Sequence, residues 1–344
     1  MTSRANGPVW LVALVAGLGL FGVWLSGRSA IGGTGALVVY CAHDAVYSES
    51  VLREFERQTG IPLDIRFDTE ATKSLGLVQL ISRERRSPQC DVFWNNELLG
   101  TLDLQEQGLL LPYRGVSWQQ MPERFRDPEG HWVGFGARLR VWIVNTQQMT
   151  ADEKSIEDVL ERETSRVAMA NPMFGTTLTH YTVLADRWGL SRLKEWHAEL
   201  RRRELREVPG NGVVKDVVAH GTSDCGWTDT DDFFLALDAG LPVAQLPARV
   251  DGATIAIPNS VAIIRGTKRL SEAQQLVDYL ASNETELRLA WSASRQIPLG
   301  NVDEKLLPPE VREVSPWAQE SVDLRGMLPV RRAVLDWLRT EYAP

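Results

Sequence analysis

From position 36 onward, short apolar runs alternate with stretches in which apolar side chains recur every three or four residues. Residues 36–41 (ALVVYC) are rich in β-branched side chains and read as a buried strand. Ser48 is placed to cap the next helix, which turns Val51, Leu52 and Phe55 inward and stops at Gly60. Residues 62–67 (PLDIRF) alternate as a second strand, 72–85 read as an amphipathic helix, and 91–94 as a third strand. A helix over 97–107 follows, with Leu98, Leu99 and Leu102 inward and Gly108 at its end.

The same alternation continues with different residues. Strands are expected at 140–145 and 165–170, and the second leads through the turn NPMFGTT (171–177) into a helix that runs to Trp188. A charged helix is expected over 192–207, another over 213–220, and a short strand over 225–228. Strands at 254–257 and 261–264 are separated by Pro258-Asn259-Ser260, and helices at 271–281 and 331–341 help close the chain. Strands alternating with helices imply βαβ units and a mostly parallel sheet, so the fold class is α/β.

One run stands apart. Residues 9–25 carry no charged or strongly polar side chain for 17 positions. A signal-peptide core needs about 7–15 apolar residues and a membrane-spanning helix about 20. The run is therefore read as either a cleaved signal or a retained anchor, a hydrophobic helix followed by a flexible linker at 31–36 (IGGTGA). Residues 1–35 thus form a signal peptide or membrane anchor, and everything after them is expected in the periplasm or on the outer face of the inner membrane. No cysteine directly follows the run, which argues against a lipoprotein start.

At 344 residues the chain is long enough for two buried cores. Its net charge of -8, from 37 basic and 45 acidic residues, argues against nucleic-acid binding. Cys41, Cys90 and Cys225 are too far apart for a CxxC pair, which excludes a zinc ribbon and leaves room for one disulfide at most.

In open parallel sheets ligands sit beyond the carboxyl ends of the strands. That rule selects His43-Asp44, Asn95 to Glu97, Gly175-Thr176-Thr177, Asn211 and Asp229 to Asp232. Glu97, Asp229, Asp231, Asp232 and His43 would offer a hard cation a carboxylate-rich cage, and the same set suits an organic amine. The alternative for TDTDD (228–232) is helix capping, with Thr230 as N-cap and acids in the first turn. Glu97, equally, can simply start the helix at Leu98. Gly175, Thr176, Thr177 and Asn211 suit an anion at a helix N-terminus, or a plain turn and cap. Arg138 either contacts an anion or pairs with a carboxylate, and Trp94 is placed to stack on an organic ligand. Trp142 and Trp188 follow apolar patterns and are expected in the core. His131, His180, His197 and His220 show no ligand spacing, and the chain contains no GxSxG elbow, P-loop or HExxH, so it is not read as an enzyme.

VVYCAHDAVYSESVLREFERQTGI, CDVFWNNELLGTLDLQEQGLL, FGARLRVWIVNT and IAIPNSVAII together resemble the periplasmic solute-binding proteins of ABC importers, above all the ferric-iron-binding branch, over nearly all of residues 36–344. The resemblance implies the two-lobed class II periplasmic-binding-protein fold, with a ligand cleft between lobes. Lobe 1 would be 36–139 and 258–300, lobe 2 would be 140–257 and 301–344, and the crossings would fall near 138–142 and 257–261. His43 and Glu97 match iron-ligand positions of those relatives. Asp231 and Asp232 stand where the relatives carry a pair of adjacent tyrosines, which this chain, with six tyrosines and no adjacent pair, lacks. Gly175, Thr176, Thr177 and Asn211 resemble the site of a small synergistic anion. The implied function is capture of ferric iron (Fe3+) or a similar metal and its delivery, by a monomer, to an ABC-type inner-membrane permease. The alternatives are a small organic anion such as a phosphonate or sugar phosphate, an amine cation, and a membrane-anchored sensor domain.

Overall fold

The computed structural model of the protein describes residues 35–68 and 75–343. The apolar run at 9–25, read above as a signal or anchor helix, lies outside the described residues. Among those described, no helix is long and apolar enough to cross a membrane.

The first part of the fold holds strands β1 (Leu37–Cys41), β2 (Leu63–Phe67), β3 (Val92–Asn95) and β4 (Leu110–Leu111), interleaved with helices α1 (Ala45–Thr59), α2 (Leu75–Arg83), α3 (Leu99–Glu106) and α4 (Val116–Gln120). A long strand, β5 (Val133–Asn145), leads out of it. Next come α5 (Glu153–Arg162), β6 (Val167–Ala170), α6 (Gly175–Trp188), α7 (Leu190–Arg202), β7 (Arg206–Val208) and α8 (Asn211–Ala219). They are followed by β8 (Cys225–Asp229), α9 (Thr230–Asp238), β9 (Val243–Pro247) and β10 (Ala256–Ile264). Helices α10 (Leu270–Leu280), α11 (Asn283–Ala290), α12 (Pro309–Gln319) and α13 (Leu328–Glu341) complete the chain.

The main path through the sheet runs β2-β1-β3-β10-β5-β8-β6-β7, with β4 on β10 and β9 on β5. Strand β5 belongs to two halves at once. Its residues 133–139 pair antiparallel with β10, while Arg140 onward pairs with β8 and β9. Residues 248–255 bring the chain back, Ala248 N–H donating to the Arg140 carbonyl at 3.0 Å and Arg140 N–H to the Ile255 carbonyl at 3.0 Å. The parallel strands β1 and β6 are flanked on both sides and are almost wholly buried, as their continuous apolar sequence requires. Trp142 lies against Trp227 with ring centroids 4.1 Å apart, and Trp196 packs on both Trp227 and Trp188; only Trp227 is buried, so Trp142 and Trp188, expected in the core, instead flank it half-buried.

Several sequence expectations shift. Ser48 lies inside α1, whose N-cap is Asp44, and its hydroxyl donates back to the Asp44 carbonyl at 2.9 Å. The helix expected over 192–207 stops at Arg202, because Glu204 turns the chain through a positive φ of 59° and residues 206–208 become the edge strand β7. The two strands expected around Pro258 are one strand, β10, with a register shift between Pro258 and Asn259 that accommodates a residue lacking an N–H. Strand β5 begins seven residues before the expected 140. Cys41, Cys90 and Cys225 are buried free thiols.

Candidate ligand-binding cleft

A cleft of about 320 Å³ opens where β5 passes from one half to the other. The first half contributes Asp44, Val46, Tyr47, Asn96 and Arg138, and the second contributes the starts of α6, α8 and α9 together with Lys215. Helix N-termini converge here because each of these helices follows a strand whose carboxyl end points into the cleft. First-turn N–H groups have no partner within a helix, so each such end presents donors and partial positive charge.

Gly175 opens α6 with a φ of 54°, a conformation that strains any residue with a Cβ, and nothing lies within 4 Å of the place a Cβ would occupy. Behind this turn a ring of hydrogen bonds joins three elements. The Thr176 hydroxyl donates to Asp229 Oδ2 at 2.8 Å, Asn211 Nδ2 reaches Thr176 Oγ1 at 2.7 Å and Asp229 Oδ2 at 3.1 Å, and the Thr177 hydroxyl donates to Asn211 Oδ1 at 3.3 Å. Arg140, on β5, closes the ring from beneath: its Nη1 lies 2.7 Å from Asp229 Oδ1, 3.1 Å from Thr176 Oγ1 and 3.2 Å from Asn211 Oδ1. The sequence places Arg140 at the start of a strand and gives it no role in the site. The signal was available in RLRV, where two arginines two residues apart on one strand share a face.

The start of α9, beside that of α8 in the same half, is acidic, with Asp232 Oδ1 3.8 Å from where a Cβ on Gly212 would stand. Asp231 Oδ2 stands 3.8 Å from Arg138 Nη1, and Arg138 donates through Nη2 to the Asn96 carbonyl. Burial pushes the Asp231 carboxyl up to about 6 against the pull of Arg138, with Asp229 and Asp44 adding to the rise. Burial and the adjacent Asp231 push Asp232 up to about 8, although the Thr228 hydroxyl donates to its Oδ2 at 2.7 Å. Burial, then Asp231, Asp232 and Asp44, raise the Tyr47 phenol, which keeps its proton. The capping alternative for TDTDD takes a different form in the structure. Asp229 occupies the N-cap position of α9 without making a side-chain cap, and the Thr230 hydroxyl accepts the Leu139 N–H at 3.2 Å.

Of the residues singled out in the sequence, Asp44, Asn96, Arg138, Gly175, Thr176, Thr177, Asn211, Asp229, Asp231 and Asp232 line this cleft. His43, Glu97 and Trp94 are buried and do not line it. Glu97 accepts the N–H groups of Leu99 and Gly100, both at 2.7 Å, and so serves the start of α3. His43 is held by the Gln296 side-chain amide at Nε2 and packs on Trp94 with ring centroids 5.4 Å apart. Trp94 donates through Nε1 to Asn259 Oδ1 at 3.2 Å and lies against Phe135. The five-residue cage expected for a metal is thus split between the cleft and the first-half core. Among the described residues no group of three or more His, Cys, Asp and Glu side chains is arranged to hold a metal ion.

The model of the family described as bacterial extracellular solute-binding protein matches residues 37–289. An uncharacterized protein of Haemophilus influenzae is 25% identical over 297 residues, covering 81% of this chain and 82% of its own length. Apo ferric ion-binding protein A of Pasteurella haemolytica superposes with a TM-score of 0.76 at 18% identity, covering 89% of this chain and 97% of that one. The periplasmic binding protein AfuA of Actinobacillus pleuropneumoniae, with exogenous fructose 6-phosphate bound, gives 0.72 at 19% identity over 90% of this chain and 99% of that one. At these identities the structural likeness shows the two-lobed periplasmic-binding-protein fold and nothing finer.

Proposed function

The chain belongs to the bacterial extracellular solute-binding proteins, and we propose that its cleft captures a small organic solute bearing a phosphate or phosphonate group, outside the inner membrane, for delivery to an ABC-type permease. The observation that carries this reading is the convergence of the α6 and α8 N-termini, with Thr176, Thr177 and Asn211, on one cleft of about 320 Å³. Helix N-termini supply N–H donors and a field that favours anions. The volume falls in the range of roughly 300–1,000 Å³ typical of small-molecule sites and exceeds what a bare ion needs. Asp44, Asp231 and Asp232 on the same cleft are acceptors for hydroxyl or ammonium groups on the body of the solute. Tyr47, Asn96 and Arg138 come from the first half and Thr176 and Asn211 from the second, so a solute touching both favours the closed arrangement that a permease would recognise. The bound fructose 6-phosphate of the AfuA structure is a ligand of this chemical kind.

Ferric iron with a synergistic anion is the second reading, favoured by the ferric ion-binding relative and by the presence of Asp44, Tyr47, Asp231 and Asp232 on the cleft, although as placed these side chains do not form a metal-holding group. Melting curves with fructose 6-phosphate, inorganic phosphate and ferric citrate separate the two. A ligand at about 100 times its Kd adds about 2.7 kcal/mol to the folded state, a shift of several degrees. The expected outcome is a rise with the two phosphates and none with ferric citrate; a rise with ferric citrate alone would replace the organic anion by the metal.

A further inference from the structure

We infer that Arg140, a residue that does not line the cleft, is the positioning residue of its anion-binding wall; this rests on the anion reading given above. Its side chain is completely buried at the point where β5 enters the second half. One terminal nitrogen, Nη1, meets Asp229, Thr176 and Asn211 together, while Nε and Nη2 have no hydrogen-bond partner. Nothing about core packing calls for such an arrangement. A buried guanidinium with two unused donor nitrogens is costly, and one carboxylate offsets only part of that cost.

The gain lies in what the contact does to its partners. Because Nη1 approaches Asn211 Oδ1, the amide is oriented with Nδ2 toward Asp229 and Thr176. The Thr176 hydroxyl directs its proton to Asp229 and turns its lone pairs toward Arg140 and Asn211. The side chains of Thr176 and Asn211 therefore satisfy one another, and the first turns of α6 and α8 are held in a fixed relation with their backbone N–H groups left for the solute. The second effect is one of charge. Asp229 lines the cleft at the base of this wall, where an uncompensated carboxylate would repel an anion. Arg140 cancels that charge from behind without itself competing for the solute. Arg138, two residues earlier on the same face of β5, is tied instead to Asn96 and Asp231, so the two arginines have separate tasks.

The test is calorimetric titration of the full chain with inorganic phosphate and with fructose 6-phosphate, comparing wild type, Arg140→Lys and Arg140→Gln, with the melting temperature of each apo protein recorded alongside. Lysine keeps the charge opposite Asp229 but, as a compact point charge, does not reproduce the planar guanidinium. The expected result is an Arg140→Lys protein that melts within a few degrees of wild type yet binds both phosphates at least about tenfold more weakly, the scale of one charge-assisted hydrogen bond. An Arg140→Lys protein that folds and binds like wild type overturns the role of Arg140 and leaves the anion reading intact. Should Arg140→Lys fail to fold, Arg140→Gln, which keeps a neutral donor toward Asp229, decides: unchanged phosphate affinity overturns Arg140 as the positioning residue, and a loss of about tenfold supports it. Wild-type protein that binds neither phosphate overturns the anion reading and the role of Arg140 together.

Discussion

A carboxylate at the start of a helix can serve the helix or the space in front of it, and Glu97 and Asp232 divide those roles. Glu97 folds back on Leu99 and Gly100, whereas the half-buried Asp232 lies on the cleft beside the buried Asp231. A carboxyl whose folded pKa is raised binds more protons in the folded than in the unfolded state, so stability falls as pH rises from the ordinary carboxylate range through the raised value. His180 and His197 oppose this at lower pH: burial depresses both, so the unfolded chain takes up their protons below about 6.5. Above about pH 6.5 the histidines contribute nothing and the aspartates remain. The apo protein is therefore expected to lose melting temperature between about pH 6.5 and 8.5, and Asp232→Asn to flatten that slope; an unchanged slope in the variant would remove Asp232 as its source. A different acid, Glu286, is buried and accepts the N–H groups of Gly136, Leu299 and Gly300 at 2.7–2.9 Å. Glu286→Ala strands three donors and is expected to cost about 3 kcal/mol or more in denaturant unfolding. At this scale the cleft acids and the Thr176–Asn211 pair were readable from their place after strands. The inward turn of His43 and Glu97 was not, because position along the chain does not say which way a side chain leaves its strand end, and the partner that fixes His43, Gln296, is 253 residues away.

Among the elements, the close approach of β6 and β8 depends on Gly226, where an added Cβ would stand 2.6 Å from the Ala168 carbonyl oxygen. Backbone cannot swing aside as a side chain can. Gly226→Ala is expected to cost about 1–3 kcal/mol and, by displacing the strand that ends in Asp229, to weaken phosphate binding as well. Stability and affinity measured on the same variant check both. Most long elements were legible because each carries a complete period of its own, as in the apolar run of β1 and the helical stripe of α1. Short strands held by their neighbours were not: β4 has two residues, and β9 pairs with β5 through a sequence in which only Val243 is buried. The end of α7 was missed for a related reason. The charged pattern runs on past Arg202, and it is the backbone at Glu204 that turns.

For the molecule as a whole, the cleft carries both signs of charge, and the sign of its pH dependence identifies the cargo. Ionising Asp232 beside Asp231 adds negative charge next to the ligand, so affinity for a phosphate ester is expected to fall between about pH 6.5 and 8.5, whereas a metal cation would displace the proton and bind more tightly over the same interval. Titrations at the two ends of that interval distinguish these outcomes. Because β5 hydrogen-bonds into both halves, the described fold is expected to melt in a single transition, which calorimetric and van't Hoff enthalpies would test by their agreement. Strand β10 has a further consequence, in time. It sits between β3 and β5, yet it is made more than 100 residues after the latter begins. A chain emerging from the ribosome cannot complete its first sheet until about residue 264 has been synthesised, so the N-terminal half waits, unfinished, for a strand that arrives late.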